Sequence, residues 1–476
     1  MLTRLRVRGF KNLADVDVRL GPFTSIAGVN GAGKSNLLDA IAFLRALAGQ
    51  PLVDAALSVC DDIRGLFHRG GDGRILLEAE MLVPKEGVDE LGQPAEATIT
   101  FLRYAVELGY RRAGPGLEIL REDLSHIRKS DAHEHLLFPH RANTWRADAV
   151  TGRESGHRTA PFLSTETVDG RRCVLIHQDG EWSGRLRPLA ASDLPRTVLS
   201  AAGSAENPTA MLARREIRSW RVLHLEPSRL RRPDPLTATP YLNPDGSHLS
   251  ASLYRIANTP AGGGPEAVYA RIANRLAEFG HVVGSLSVER DETRELLALA
   301  VRDRDGIPES LRAQPAGLLR YLALAVLAED PEAMGLVCVE EPENGIHPGK
   351  IPVLLRLLQS MATNPFEHLS ATNPLRQVII TTHSPLVMNQ LSREDVLLAE
   401  SRDVAQPEDA RSSEGLVLLA MPDTWRASLM PVASPGAFQQ YSVLPGRPRP
   451  RVRAAEDDEA NLPIFGDWNE SDVAEP

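Results

Sequence analysis

Three short stretches of this 476-residue chain combine residue types that can do chemistry together. The first is Gly28-Val-Asn-Gly-Ala-Gly33-Lys34-Ser35, which fits GxxxxGK[ST] in full. Glycines in this spacing let backbone N–H groups approach phosphate oxygens with no Cβ in the way. A helix opening at the lysine points its positive end at the same place. Lys34 is the candidate for the β- and γ-phosphates, and the Ser35 hydroxyl is the candidate ligand for Mg²⁺. Asn30, Gly31, Ala32, Gly33 and Asn36 make up the rest of the cradle. The second stretch is GLVCVEEPENGIHP, Gly335 to Pro348, in which four apolar residues run into two acids, Glu340 and Glu341. One acid there can orient Mg²⁺ and its water, and the next can accept a proton from a water in line with the γ-phosphate. The third is QVIITTHSPLV, Gln377 to Val387, where a strand-like run ends in Thr381, Thr382 and His383. A histidine beside a γ-phosphate can hydrogen-bond both the phosphate and the attacking water.

These residues need a parallel sheet whose carboxyl ends face one ligand. FTSIAG (23–28) reads as a strand entering the glycine loop, and SNLLDAIAFLRALAG as an amphipathic helix closed by Gly49. Residues 335–340 and 377–382 read as strands buried on both faces. Residues 2–9 and 15–20 alternate like a hairpin, with further strands at 74–83 and 97–107. Residues 264–279, 316–329 and 349–361 read as helices, 283–304 as a strand hairpin, and 395–420 as closing strands. From about 110 to 220 clear periodicity disappears, apart from short runs such as RRCVLIHQ (171–178). That region is expected to be an insertion between two halves of one core. No apolar heptad persists, which argues against a long coiled-coil arm.

Cradle, paired acids and strand–histidine, in that order, resemble the ABC-type ATPase heads of the SMC/RecF-like class. The EEPExGxHP form resembles the compact AAA-labelled subgroup that includes the ATPases of OLD nucleases and of anti-phage systems such as Septu and PARIS. The resemblance covers roughly residues 1–85 and 220–420. It implies an α/β P-loop fold, an ABC-type head split into N- and C-terminal halves. An antiparallel β subdomain belongs to it, while the mixed insertion and the disordered acidic tail are read from lost periodicity and from composition. The expected organisation is an N-terminal half over 1–109, an insertion over 110–220, a C-terminal half over 221–425 and a Pro-rich, acidic tail over 426–476. The same resemblance makes Glu340 the metal-orienting acid, Glu341 the catalytic glutamate, His383 the switch histidine and Asn344-Gly345 a dimer-contacting loop. Phe10-Lys11-Asn12 resembles the motif that approaches the α-phosphate. A Q-loop glutamine has no counterpart in LFHRGGDG (66–73), the region where one belongs.

One departure bears on turnover. QPAGLLRYLAL (314–324) keeps the apolar-Arg-aromatic-Leu-Ala-Leu run and Gly317, but Pro315 stands where the family's signature has serine. In the family that signature caps the γ-phosphate held by a second head, so that two heads sandwich two ATPs. Proline supplies neither a hydroxyl nor an N–H. Losing one donor aimed at developing charge costs about 3–4 kcal/mol, or about 10²–10³ in rate. The implied activity is therefore slow, Mg²⁺-dependent ATP hydrolysis by a nucleotide-gated homodimer. It would act on a separate effector protein in DNA maintenance or anti-phage defence. Two other readings stay open: an ATP-binding sensor or scaffold without turnover, and the nucleotide-binding subunit of a membrane transporter, against which the EEPENGIHP form speaks.

Composition sets the outer limits. Hydrophobic residues make up 42% and charged residues 24%, an ordinary globular balance. No apolar run approaches the length of a bilayer span, and MLTRLRVRGF reads as a strand and not a signal peptide, which points to a cytoplasmic protein. Three scattered cysteines exclude a disulfide framework, and Cys338 reads as a buried hydrophobe. Eight acids in residues 454–476 carry all but two of the ten net negative charges, so the body of the chain is nearly neutral. LARREIRSWRVLHLEPSRLRRP (212–233) holds seven arginines that suit either DNA phosphates or a solvated face. HEHLLFPH (133–140) sits in a loop-like context that does not promise metal geometry.

Overall fold

The computed structural model describes residues 1–69, 71–111, 116–152, 160–179, 187–281, 283–404 and 413–434. The acidic tail lies outside them. Two sheets form the frame. The first strands are β1 (Leu2–Phe10), β2 (Leu13–Arg19) and β3 (Phe23–Gly28), followed by helix α1 (Lys34–Leu47). Then come β4 (Arg74–Leu82), β5 (Phe101–Tyr110), β6 (Leu117–His126), β7 (Leu163–Val168), β8 (Arg171–Ile176), β9 (Arg187–Ala190) and α2 (Pro208–Ser219). The C-terminal part contributes β10 (Arg221–Leu223), α3 (Leu249–Asn258), α4 (Pro265–Glu278), β11 (Ser285–Asp291) and β12 (Leu296–Arg302). It closes with α5 (Ala316–Glu329), β13 (Gly335–Glu340), α6 (Ile351–Met361), β14 (Arg376–Thr382), β15 (Val396–Val404) and β16 (Ser413–Ala420).

The eight-stranded sheet runs β9-β8-β7-β6-β5-β4-β1-β2 with antiparallel pairings throughout. The stretch read as an insertion thus supplies β6 to β9 to the sheet that β1, β2, β4 and β5 begin. Its alternation is obscured by a bulge: pairing shifts register between Glu107 and Leu108, and the inward residues of β6 step from Leu117 and Ile119 to Glu122 and Leu124. The inward acid is Glu122, fully buried. It accepts from the Val198 and Leu199 N–H groups at 2.7 and 2.8 Å and from the Tyr104 hydroxyl at 3.1 Å. Burial pushes its carboxyl up to about 7.

The second sheet is ordered β10-β13-β14-β3-β15-β16, parallel through β15 and antiparallel at its last pair. Strands β3 and β14 are buried at every position, which is why they read as continuous apolar runs. One core joins α1 and α2 to the inner faces of both sheets, and a second packs α3 to α6 on the other face of the parallel sheet. Cys338 is fully buried, and burial raises its thiol far above the ordinary value. Gln377 ties the sheets at their base: its amide accepts from Leu2 N at 2.8 Å and donates to the Leu2 and Gly21 carbonyls at 2.7 and 2.8 Å. No helix among the described residues is long and apolar enough to cross a membrane.

Candidate functional site

Strand register brings the three stretches to one edge of the parallel sheet. Glu340 pairs with Thr381 across β13 and β14, and Thr382 pairs with Ala27 across β14 and β3. The glycine loop and the acids therefore belong to strands separated by one neighbour, and His383 directly follows that neighbour.

At the cradle, Gly33 caps α1 at φ 105, with no side-chain cap and no acid in the first turn. The uncapped N–H groups leave the helix's positive end open to an anion. A side chain at Gly33 would meet the Asn12 amide at 2.4 Å, so only glycine fits both this conformation and its neighbour. Asn30 and Gly31 stand exposed at the crown, with Ala32 buried beneath. Lys34 is buried, and its ammonium donates to the Gly28 and Val29 carbonyls at 2.8 and 2.9 Å. Burial lowers its pKa, against the pull of Glu341, Glu340 and Glu343. Asn36 donates to Asn12 Oδ1 at 2.8 Å, which places Asn12 at the base of the loop. The Lys11 ammonium is held instead by Asp39, one turn beyond Ser35, at 2.6 Å and by the Val59 carbonyl at 2.7 Å.

The two acids have different surroundings. Glu340 is shared: one carboxylate oxygen meets the Ser35 hydroxyl, the other His224 Nδ1 at 2.5 Å. The hydrogen bond from His224 holds the Glu340 carboxyl below its usual range and raises the imidazole. Glu341 lies at φ 44, a left-handed backbone that is rare for a residue with a side chain. Its N–H donates to the Thr381 carbonyl at 3.0 Å, His383 Nδ1 lies 2.7 Å from one carboxylate oxygen, and Asn344 Nδ2 donates to the other at 2.7 Å. The turn beyond Glu341 locks this conformation in place. Glu343, buried, takes the Thr382 hydroxyl, and Arg320 on α5 clamps the Asn344 carbonyl. Burial raises the Glu343 carboxyl. Strain retained in a residue so tightly surrounded is a common mark of a functional site.

Pro315 forms the N-cap of α5 at φ −58, with no side-chain capping bond. Gly317 is buried, and a Cβ there would sit 2.3 Å from the Gly345 carbonyl oxygen. The signature loop and the Asn344-Gly345 turn are thus in backbone contact within one chain.

Hard oxygen donors at Ser35 and Glu340 suit Mg²⁺, which takes few protein ligands. The open helix end and the Lys34 ammonium suit a triphosphate. Residues 178–389 match the family model described as "AAA domain, putative AbiEii toxin, Type IV TA system". The OLD nuclease of Thermus scotoductus is 56% identical over 41 residues, which is 9% of this chain and 8% of that protein. The chain is thus similar in part to that AAA-domain family and, over a short segment, to an OLD nuclease. The aligned segment spans less than a tenth of that relative's length. Among solved structures, an SMC head bound to the C-winged helix domain of ScpA is 13% identical. It covers 88% of this chain and 98% of its own, at a TM-score of 0.46. The SMC head domain from Thermotoga maritima is 13% identical over 88% of this chain and 99% of its own, at 0.37. The Pyrococcus furiosus SMC head bound to the C-terminal domain of ScpA is 11% identical over 88% and 96%, at 0.39.

Several residues around this site escaped the sequence reading. His224 follows a three-residue strand, too short for any periodicity, inside an arginine-rich run. Glu343 and Thr382 lie 39 positions apart and meet only because β13 and β14 run side by side. The arginines of 212–233 are largely engaged inside the chain. Arg214 and Arg218 bond Glu90, Arg215 bonds the Val88 carbonyl, Arg229 pairs with Asp245, and Arg231 bonds the Gln314 carbonyl. In HEHLLFPH, His135 bonds Glu80, while His133 and His140 bond backbone carbonyls. Among the described residues no cluster of three or more His, Cys, Asp or Glu could hold a metal ion.

Proposed function

We propose that this chain binds ATP with Mg²⁺ at the Lys34 cradle and hydrolyses it slowly as a homodimer. That cycle would gate a separate effector protein in DNA maintenance or anti-phage defence. The observation that carries the reading is Glu341, bracketed by His383 and Asn344 at the end of the strand two places from the cradle. In this reading Lys34 and the N–H groups of residues 31–36 hold the phosphates, and Ser35 and Glu340 hold Mg²⁺, which neutralises charge on the phosphate oxygens. Asn12 supports the loop from below, and Lys11 acts through its pairing with Asp39 on α1. Glu341 takes the proton of the attacking water and His383 orients it. Gly317 caps the nucleotide held by a second copy.

Phosphate release by the native protein, Glu341→Gln and Lys34→Ala tests this. Glutamine is isosteric: its carbonyl oxygen can accept from Asn344 Nδ2 while its amide nitrogen faces His383 Nδ1. The variant should therefore fold and bind ATP while turnover falls by about 10²–10⁴. Lys34→Ala should lose ATP binding. Equal background rates in the native protein and Glu341→Gln, with ATP still bound, would replace the ATPase reading with that of a non-hydrolysing sensor or scaffold. Pro315, with no hydroxyl at the helix cap, favours that second reading. Light scattering of Glu341→Gln with and without ATP and duplex DNA reports the sandwich. A monomer under every condition would refute it.

A further inference from the structure

The histidine that bonds Glu340 has no evident structural task. His224 follows β10, the edge strand that pairs in parallel with the acid strand β13, and the pairing of Leu223 with Val339 sets His224 beside Glu340. Its backbone N–H donates to the Pro244 carbonyl at 2.8 Å, which pins the strand end. Its side chain is 48% exposed and belongs to neither core. It lines a cleft of about 240 Å³ shared with Arg320, Glu340, Glu341 and Asn344. A half-exposed ion pair of this kind adds little to stability. What it does do is occupy one oxygen of the carboxylate whose other oxygen faces Ser35.

We propose that His224 is a positioning residue for the Mg²⁺ site, holding the Glu340 carboxylate so that its second oxygen stays directed at Ser35. A carboxylate on a side chain with three rotatable bonds samples many orientations, and a fixed donor on one oxygen removes most of them. When Mg²⁺ binds at the Ser35 hydroxyl, the Glu340 oxygen that accepts from Ser35 is already turned toward the metal or its water. The oxygen bonded to His224 need not move. Supporting partners of this type govern metal affinity about as strongly as weak ligands do, typically by about 10–100-fold. Arginine would compete with the metal for both oxygens, whereas Nδ1 of an imidazole donates to one.

This rests on the ATP–Mg²⁺ reading of the site, and the test separates the two. Mn²⁺ binding to the protein–ATP complex is followed by electron paramagnetic resonance, using the Glu341→Gln form to suppress turnover. ATP affinity is measured separately in EDTA with a fluorescent ATP analogue. His224→Ala should weaken Mn²⁺ binding by about 10–100-fold and leave the EDTA affinity within twofold. His224→Asn places an amide N–H close to where Nδ1 lies and should recover Mn²⁺ affinity to within about threefold, with an unchanged melting temperature. Native-like Mn²⁺ affinity in His224→Ala would overturn the proposal. So would an equal loss in EDTA, which marks a general structural role, or an asparagine variant as weak as alanine. A native protein that binds ATP in neither condition would instead refute the reading of the cradle.

Discussion

Glu80 offers a quantitative test of how the antiparallel sheet is held. It lies in β4, fully buried, and three arginines and His135 converge on it. Arg4 and Arg103 donate to one oxygen at 3.2 and 2.8 Å, and Arg19 and His135 meet the other at 2.7 and 2.9 Å. Burial alone would raise this carboxyl. The His135 hydrogen bond and the charges of Arg19 and His135 outweigh it and hold the group at about 2, from 4.5. At ~1.4 kcal/mol per tenfold change in the proton equilibrium, the depression is worth about 3 kcal/mol at neutral pH. A lowered folded-state value fixes the sign. The contribution is complete above the unfolded carboxyl's range and disappears as pH falls toward 2, with about 2 kcal/mol gone by pH 3. Glu80→Gln keeps the shape but turns an amide N–H₂ toward donors. Denaturant midpoints should show it about 3 kcal/mol less stable at pH 7, the gap narrowing to about 1 kcal/mol at pH 3. A gap below about 1 kcal/mol at pH 7, the range of an exposed pair, would refute the account of a caged buried charge. A gap that does not change with pH would do the same.

Two further substitutions probe the carboxyl ends of the parallel strands. Gly317→Ala should destabilise the chain by about 1–3 kcal/mol in denaturant titrations, because the new methyl meets the Gly345 backbone. An unconstrained helix-interior glycine would instead gain about 1 kcal/mol, so a stabilised variant would show that the two loops do not touch. Thr382→Val removes the hydroxyl that meets buried Glu343 and accepts from Ser384 N at 3.0 Å. It should cost about 1.5–3 kcal/mol at neutral pH, and less as acid protonates Glu343. An unchanged midpoint would exclude that link.

Much of the site was legible because each of its stretches is local. GVNGAGKS, EEPENG and TTH each sit at the end of an apolar run long enough to mark a strand. A strand buried on both faces announces itself by composition alone, as β3, β13 and β14 do. The region from 110 to 220 was not legible in the same way. A bulge breaks the alternation of β6, and its inward acid Glu122 contradicts the apolar pattern that a strand reading needs. His224 was missed because three residues of β10 carry no period, and a lone histidine between Leu223 and Leu225 gives no local sign of its partner.

Amino-acid order alone set the chemistry on offer: a phosphate cradle, two adjacent acids, a strand-end histidine, and a proline where a hydroxyl was expected. Those properties depend on residue type and short-range spacing, which no later folding step alters. The pairings came from the tertiary fold. Strand order placed β14 between the cradle and the acids. It gave Glu340 to Ser35 and His224, and Glu341 to His383 and Asn344. It also engaged Lys11 with Asp39 and pressed Gly317 onto Gly345. Such contacts join residues up to some three hundred positions apart, and their geometry arises from sheet register and backbone approach, which local patterns do not encode.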